Sequence, residues 1–200
     1  MSERRTDIGG DVPSDESLVE AAQRGEVRAL DALLSRHQDR VLRLTRLLGV
    51  PPQEREDVAQ DVFLRVFRHL DSFRRGNPFA GWLYRVTVNV VHDHRRSRAR
   101  SFAREETWVG ADEDNRADVA RDPQATLEDQ ELARRLETAL SRLTERERAV
   151  FVLREMEGLE SVEVARALGV TRITVRRHLG LARRRMRRVL AETEEKPRKS

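Results

Sequence analysis

Apolar positions recur at helical spacing through most of the chain, and no stretch shows the two-residue alternation of a β-strand. The first predicted helix starts at Ser14 and ends near Gly25, and a longer helix then continues to Gly49. Its apolar side comprises Val27, Leu30, Leu33, Leu34, Val41, Leu44 and Leu48. Two prolines at 51–52 begin a third helix, with a stripe of Val58, Val62, Phe63, Val66, Phe67 and Leu70. The pattern predicts an all-α fold.

A fourth predicted helix, Phe79 to about Arg98, changes character along its length. Its first half is apolar and aromatic, whereas its second half carries arginines against the single acid Asp93. Rings beside arginines suit an unpaired nucleic-acid strand, because bases stack on rings while arginines hold phosphates. The same spacing is also typical of a helix core. Both interpretations stay open for Phe73, Phe79, Trp82 and Tyr84.

An acidic stretch separates two basic helical parts of the chain. Between Glu105 and Glu131 there are ten acids and two arginines, with little periodicity, which is typical of a flexible linker. Such a linker is a spacer, a screen for the basic faces or an occupant of a basic channel in a partner. We predict two small helical domains at 14–101 and 127–190, a linker at 102–126, a disordered 1–13 and a charged tail at 191–200.

The second domain contains a predicted helix–turn–helix between Ser161 and Leu190. It is preceded by one amphipathic helix with Leu132, Leu136, Ala139, Leu140 and Leu143, and by another at 145–156. Thr144 and Glu147 form a capping box for the latter helix. In the helix–turn–helix, Gly169 ends the first helix and Thr171 caps the second.

The second helix of this pair has an apolar face and an arginine-rich face. The apolar stripe is Val175, Leu179, Ala182, Met186 and Leu190. From Arg166 to Leu190 there are nine arginines and no carboxylate, whereas an ordinary solvated face mixes both signs. Gly180 lies in the arginine row, where a missing side chain would permit close approach. This arrangement favours duplex DNA in the major groove over a merely solvated helix.

Composition narrows the function classes further. Arginine supplies 37 of the 39 basic residues, which suits contacts to phosphates and base edges. The chain has no cysteine, which excludes disulfides and thiolate metal sites. No apolar run approaches the ~20 residues of a membrane span. We expect a soluble, cytoplasmic protein without membrane insertion.

Two segments, one in each predicted domain, together resemble the extracytoplasmic-function (group IV) sigma factors of bacterial RNA polymerase. EDVAQDVFLRVFRHLDSFR (56–74) and FAGWLYRVTVNVVHDHRR (79–96) are similar to conserved region 2. LTERERAVFVLREMEGLESVEVARALGV (143–170), with the helix after it, is similar to region 4. The resemblance spans most of residues 14–190 in the expected order.

The resemblance implies an alternative sigma factor that binds core polymerase and directs promoter recognition, DNA melting and transcription initiation. Region 2 would bind the β′ clamp helices through Asp57, Gln60 and Asp61. It would capture the melted −10 strand with Phe73, Asn77, Phe79, Tyr84, Arg85, Asn89, Arg95 and Arg96. The acidic linker would thread the RNA exit channel, and a cognate anti-sigma factor would hold the protein inactive.

Region 4 would read the duplex −35 element and touch the β flap. Because N-terminal residues of a recognition helix reach base edges, the candidates there are Arg172, Thr174, Arg176 and Arg177. Arg183, Arg184 and Arg187 are assigned to phosphates. The start of this helix departs from the family pattern, since Ile173-Thr174-Val175 stands where Gly-Thr-Val is usual. The stretch 177–183 also departs, which puts the −35 preference in question.

Two other function classes account for less of the sequence. A helix–turn–helix repressor or activator explains 161–190, but it leaves the aromatic–arginine helix and the acidic linker without a role. An enzyme would need a site, and His92-Asp93-His94 is the nearest candidate for one. Residues two apart on a helix do not share a face, so that triplet is poorly placed for one metal ion. We expect no catalytic residue, cofactor or metal.

Overall fold

The computed structural model describes residues 13–74, 76–105 and 126–194. These residues form α-helices and short helical turns, and they contain no strand. The helices are α1 (Asp15–Gln23), α2 (Val27–Leu47), α3 (Arg55–His69), α4 (Phe79–Glu105), α5 (Leu127–Ser141), α6 (Glu145–Phe151), α7 (Ser161–Leu168) and α8 (Arg172–Glu194). Short 3₁₀ turns stand at Pro52–Glu54 and Leu70–Ser72, and a π-helical turn, Val152–Met156, follows α6. The all-α prediction is confirmed.

The first domain packs α1 to α4 around one apolar core. Along the chain, each helix packs against the next. Ser14 caps α1, its side chain accepting a hydrogen bond from the Ser17 amide at 3.2 Å. The core is filled by aliphatic side chains of α2, α3 and α4, among them Leu33, Val41, Leu44, Val58, Val62 and Leu83.

The second domain joins α5 to α8, and local signals fix its helix ends. Thr144 and Glu147 form the expected capping box, and Thr126 with Asp129 forms another at α5. Gly169 ends α7 with φ +63°, a left-handed conformation that glycine adopts without a Cβ penalty. The buried face of α8 comprises Val175, Leu179, Ala182, Met186 and Val189.

Several apolar positions predicted to lie in the core are exposed. Val27 is 76 % exposed, Phe67 63 % and Leu132 66 %, because no described element covers the outer side of their helices. At the end of α8, Val189 is buried in place of Leu190. At Gly180 the only side-chain atom among the described residues within 4 Å of the Cβ position is an Arg184 nitrogen at 3.9 Å, so there is room for a close approach, which stays a prediction.

Helix boundaries differ from the predictions at two places. α4 continues to Glu105, past both the predicted end at Arg98 and the proposed linker start at 102. The helix predicted at 145–156 divides into α6 and the π-helical turn. Of the predicted disordered N-terminus, linker and charged tail, residues 1–12, 106–125 and 195–200 lie outside the described residues.

The two domains contact each other along α2 and α4 of the first and α5 to α7 of the second. α4 packs against α7. Among the described residues, six pairs make polar contacts across this domain interface: Tyr84–Glu157, Arg43–Glu157, Arg46–Glu137, Arg95–Glu145, Arg148–Leu47 and Arg148–Arg46. The chain therefore has a closed arrangement in which the helix–turn–helix lies against the aromatic–arginine helix.

Candidate nucleic-acid interface

The turn between α7 and α8 is built by local capping. After Gly169, the Val170 amide donates to the Ala165 carbonyl at 3.0 Å, which closes α7. Thr171 caps α8, since its hydroxyl oxygen accepts from the Thr174 amide at 3.1 Å. The two threonine hydroxyls also lie 2.9 Å apart. These hydrogen bonds fix the first turn of α8.

The outer face of α8 is a surface of exposed arginines. Six predicted DNA contacts lie there: Arg172, Arg176, Arg177, Arg183, Arg184 and Arg187. Among the described residues, Arg172, Arg176 and Arg177 pair with no carboxylate, so their guanidinium groups are available to an anionic ligand. Thr174, the remaining predicted base contact, is half-buried and its hydroxyl serves the cap.

Two arginines on α8 already have acidic partners. Arg183 pairs with Glu155 at 2.7 Å, so this predicted phosphate contact has to exchange partners before it can hold DNA. Arg185 pairs at 2.6 Å with Glu147, a buried carboxylate that also completes the α6 capping box. Arg185 therefore anchors α8 to α6. The capping box marks Glu147 in the sequence, but neither its burial nor its pairing with Arg185, 38 positions away, has a local signal.

The aromatic residues around the loop before α4 form a buried cluster. Phe73 stands edge-on to Phe79 with 5.8 Å between ring centroids, and edge-on to Trp82 with 5.6 Å. Phe73, Phe79 and Tyr84 are all buried, whereas Trp82 is half-buried. In this arrangement the three buried rings belong to the core. A base-stacking role for them stays a prediction, because their faces are covered.

Gln23, which no sequence pattern marks as functional, holds this loop in place. Its amide nitrogen donates to the Leu70 carbonyl at 2.9 Å and to the Phe73 carbonyl at 3.2 Å. The last residue of α1 therefore fixes the entry to the loop at 71–78. No periodicity or motif marks such a contact, since it joins positions about fifty residues apart in sequence.

The predicted polar contacts of the loop and α4 divide into exposed and engaged side chains. Asn77, Arg85, Asn89 and Arg96 are exposed. Arg95 is engaged: it donates to the Leu48 carbonyl at 2.6 Å and lies 3.2 Å from Glu145. A cavity of about 290 Å³ separates this part of α4 from the second domain, with Asn89, His92, Arg95, Arg146 and His178 in its lining. In the closed arrangement, the second domain therefore stands over the polar side of α4.

A second exposed surface, on α3, combines acidic and apolar residues. Asp57, Gln60 and Asp61 are exposed, as predicted contacts with a partner protein require. Leu64 and Phe67 follow at helical spacing and are 46 % and 63 % exposed. We call Asp57, Gln60, Asp61, Leu64 and Phe67 the α3 surface. Exposed aromatic and aliphatic groups beside polar ones are typical of a protein–protein contact.

The domain interface buries charged groups from both sides. The Glu157 carboxylate accepts from the Tyr84 hydroxyl at 2.6 Å and lies 2.7 Å from an Arg43 nitrogen. Burial, together with the hydrogen bond to Glu157, raises the pKa of Tyr84 well above its usual range. The phenol therefore stays protonated and donates while the domains are in contact.

Arg148 caps the end of a helix in the other domain. Its Nε donates to the Leu47 carbonyl at 2.5 Å, where the free carbonyls of α2 give that end partial negative charge. Burial and the neighbouring Arg95 lower the pKa of Arg148 to about 10, so it is still protonated near neutral pH. Gly49 makes room for this contact, because a Cβ there would overlap the guanidinium groups of Arg148 and Arg95.

In the His92-Asp93-His94 triplet, Asp93 and His94 contact different side chains. His94 lies 2.6 Å from Glu54, and Asp93 lies 2.9 Å from Arg65. No group of three potential metal ligands is found within the described part of the chain. None of the helices described is long and apolar enough to cross a membrane.

The comparisons with known proteins agree with this geometry. The Sigma-70 region 2 family matches residues 33–101, and the Sigma-70 region 4 family matches residues 133–186. The RNA polymerase sigma-H factor of Pseudomonas aeruginosa is 31 % identical over 159 residues, which cover 77 % of this chain and 82 % of the relative. The ECF RNA polymerase sigma-E factor of Haemophilus influenzae is 32 % identical over 162 residues, covering 78 % and 84 %.

A solved structure is also similar over most of the chain. It is that of CnrH in complex with the cytosolic domain of CnrY, and the TM-score is 0.65 at 26 % sequence identity. The match covers 90 % of this chain and 99 % of that chain. The CnrH of Cupriavidus metallidurans is itself 33 % identical to this chain over 167 residues, which cover 80 % of this chain and 86 % of CnrH.

Proposed function

This chain belongs to the extracytoplasmic-function sigma factors of bacterial RNA polymerase, and we propose that it binds core polymerase and directs initiation at its own set of promoters. One observation carries the proposal: the same chain joins a region 4 helix–turn–helix, with unpaired arginines outward, to a region 2 domain. The polymerase performs the chemistry of RNA synthesis. The protein therefore needs no catalytic residue or cofactor, and it acts in the cytoplasm.

α8 is proposed to enter the major groove of the −35 element. Arg172, Arg176 and Arg177 are supported as DNA contacts by their exposure and by their lack of carboxylate partners among the described residues. Arg184 and Arg187 would hold phosphates. Arg183 would join them by leaving Glu155, since exchange of one anionic partner for another costs little in an exposed pair. The same domain would also touch the β flap.

The first domain is proposed to hold the melted −10 strand. Asn77, Arg85 and Arg96 are exposed around the loop and α4, and they can meet bases and phosphates directly. Asn89 is also exposed, but it lines the cavity under the second domain and would meet DNA when the domains separate. Arg95 and Tyr84 also contact the second domain, through Glu145 and Glu157, and domain separation would release these contacts, whereas Arg95 keeps its hydrogen bond to the Leu48 carbonyl. Unpaired bases gain contacts here that the duplex cannot make, and this shifts the melting equilibrium toward the open promoter.

The α3 surface is proposed as the contact with the β′ clamp helices of core polymerase. Its acids steer the approach, and Phe67 supplies apolar area at the centre of the contact. Phe67→Ser should weaken binding to core polymerase by tenfold or more, on the order of a hot-spot residue. Leu132→Ser is the matched control, because Leu132 is exposed to the same degree on α5. Equal losses in both variants would contradict a specific role for the α3 surface.

An inhibitory protein partner is proposed as well. CnrH was solved with the cytosolic domain of a second protein, and the two matched chains share the fold over most of their length. We infer that this chain is likewise held inactive by an anti-sigma factor. The acidic segment between the domains is proposed to follow a basic channel of the polymerase, the RNA exit channel.

Run-off transcription tests the proposed function. Genomic fragments that include the region upstream of the protein's own gene are transcribed by purified core polymerase, with and without the protein. We expect defined start sites that depend on the protein, with shared sequences near −10 and −35. If transcription is unchanged while the protein alone shifts duplex DNA, the helix–turn–helix repressor takes the place of this proposal.

A further inference from the structure

Ile173 is an aliphatic residue on the arginine surface of α8. It is 77 % exposed at the second position of the helix, whereas the aliphatic side chains of the opposite face are buried. Arg172 precedes it, and Arg176 and Arg177 follow at helical spacing, so it stands among the three guanidinium groups that no described carboxylate pairs with. Nothing in the packing of the domain requires an isoleucine at this position.

Ile173 also has the side chain best placed to project outward from the first turn of α8. The neighbouring Thr174 is half-buried, and its hydroxyl lies 2.9 Å from that of Thr171 in the cap. Thr174 is thereby held close to the helix end. In a recognition helix, the residues of the first turn reach the base edges, which places Ile173 at the floor of the major groove.

The chemistry of isoleucine limits what it can recognise there. Its side chain neither donates nor accepts a hydrogen bond, so it gains nothing from the amino, carbonyl and ring-nitrogen groups of the base edges. The only apolar group in the major groove is the C5-methyl of thymine. An arginine beside it can meanwhile bind a guanine edge or a phosphate.

We propose that Ile173 packs against the methyl group of one thymine in the −35 element and selects that base. This inference rests on the proposed function, because it needs α8 in the major groove. It assigns a specificity-determining role to the residue that departs from the usual Gly-Thr-Val start of the recognition helix. Cytosine, adenine and guanine at that position lack the methyl group and leave the Ile173 side chain facing polar atoms.

Deoxyuridine scanning of the −35 element tests the contact, because replacing thymine by deoxyuridine removes only the methyl group. The templates carry a promoter found in the run-off experiment, with each −35 thymine of either strand replaced in turn. Open-complex formation is measured with core polymerase and the full-length protein. The wild-type protein should lose about fourfold at one position, the value of one buried methyl group.

The Ile173→Ala variant then decides whether that methyl group is read by Ile173. We expect it to bind the thymine template more weakly and to lose the difference between thymine and deoxyuridine at that one position. Val27→Ala is the matched control, because Val27 is equally exposed but lies on α2. It should keep the wild-type sensitivity to deoxyuridine.

The outcomes separate the inference from the function on which it rests. If the wild-type protein initiates but is indifferent to every deoxyuridine, or if Ile173→Ala keeps its sensitivity, the thymine contact is wrong and the sigma function stands. If no template supports protein-dependent initiation, the proposed function fails and the inference falls with it.

Discussion

Gly49 follows the C-terminal end of α2, where Arg95 of the first domain and Arg148 of the second domain come together. Its φ of +88° lies in the left-handed region, and a Cβ there would overlap the guanidinium groups of Arg148 and Arg95. Those groups cannot simply move aside, because they donate to the Leu47 and Leu48 carbonyls. One absent methyl group thus allows two cations from different helices to satisfy the free carbonyls of a third.

We predict that Gly49→Ala destabilises the protein more than Gly25→Ala does. Gly25 has a similar φ of +91°, but no atom lies within 4 Å of its Cβ position. Gly25→Ala should therefore cost only the left-handed backbone, about 1–2 kcal/mol. Gly49→Ala should cost a further ~1–3 kcal/mol from overpacking. Urea unfolding followed by circular dichroism measures both; equal losses would mean that the crowding at Gly49 is relieved without cost.

At the scale of elements, α1 links the N-terminal part of the fold to the loop before α4. Asp15 in its first turn binds α2, lying 2.8 Å from Arg36 and 2.7 Å from His37. Gln23 at its end holds the loop. Burial would raise the pKa of Asp15, but the hydrogen bonds from Arg36 and His37 outweigh it and hold that pKa below the usual value.

Acid is predicted to release α1 from α2. Because the folded-state pKa of Asp15 is lowered, its stabilisation is present above its unfolded pKa of about 4 and is lost as the pH falls through the folded value. Hydrogen exchange of the α1 amides, corrected for intrinsic rates, should show weaker protection at pH 3 than at pH 6. Asp15→Asn should show weak protection at both values, whereas Glu16→Gln, an exposed neighbour, should behave as the wild type.

The sequence predicts helix ends better than it predicts helix faces. The caps at Thr144 and Gly169 are predictable because a cap depends on residues within one turn of it. The apolar pattern places Phe67 in the core, yet Phe67 is exposed, because helical spacing gives the width of an apolar stripe and not what covers it. The arginines of α8 were predicted correctly as exposed, but the pairing of Arg183 with Glu155 joins two helices and has no local signal.

At the scale of the whole molecule, the domain interface conflicts with simultaneous binding of two promoter elements. The −10 and −35 elements lie about 25 base pairs apart, or about 85 Å at about 3.4 Å per pair. In the closed arrangement Tyr84 and Glu157, one from each domain, are joined by a hydrogen bond of 2.6 Å. The contacts that make this interface were not predictable, since Tyr84 and Glu157 are 73 positions apart in sequence. The domains must separate before both elements are bound.

We predict that Glu157→Gln shifts the chain toward the open arrangement. The change removes the charge that pairs with Arg43, at about 1–2 kcal/mol, so the ratio of closed to open molecules should fall about five- to thirtyfold. Because the chain has no cysteine, dyes can be attached at Gln38→Cys and Ser141→Cys, and energy transfer between them reports the distance. Glu131→Gln is the control, because the ion pair of Glu131 in the described part of the chain is with Arg135, inside the second domain. Unchanged energy transfer in Glu157→Gln would contradict the role of this pair.

The hydrogen bond between Tyr84 and Glu157 also makes the ultraviolet absorbance of Tyr84 sensitive to contact between the domains. Tyr84 is the single tyrosine of the chain, so its phenolate absorbance is free of overlap from any other phenol. Burial and the hydrogen bond to Glu157 raise the pKa of Tyr84, so loss of the Glu157 contact on domain separation should lower it toward its usual value of about 10. By the same linkage, the closed arrangement loses stability as the pH rises above 10. In an alkaline absorbance titration of the unlabelled protein, the apparent pKa of Tyr84 should therefore lie above about 10 while closed molecules are populated, and it should fall when the domains separate.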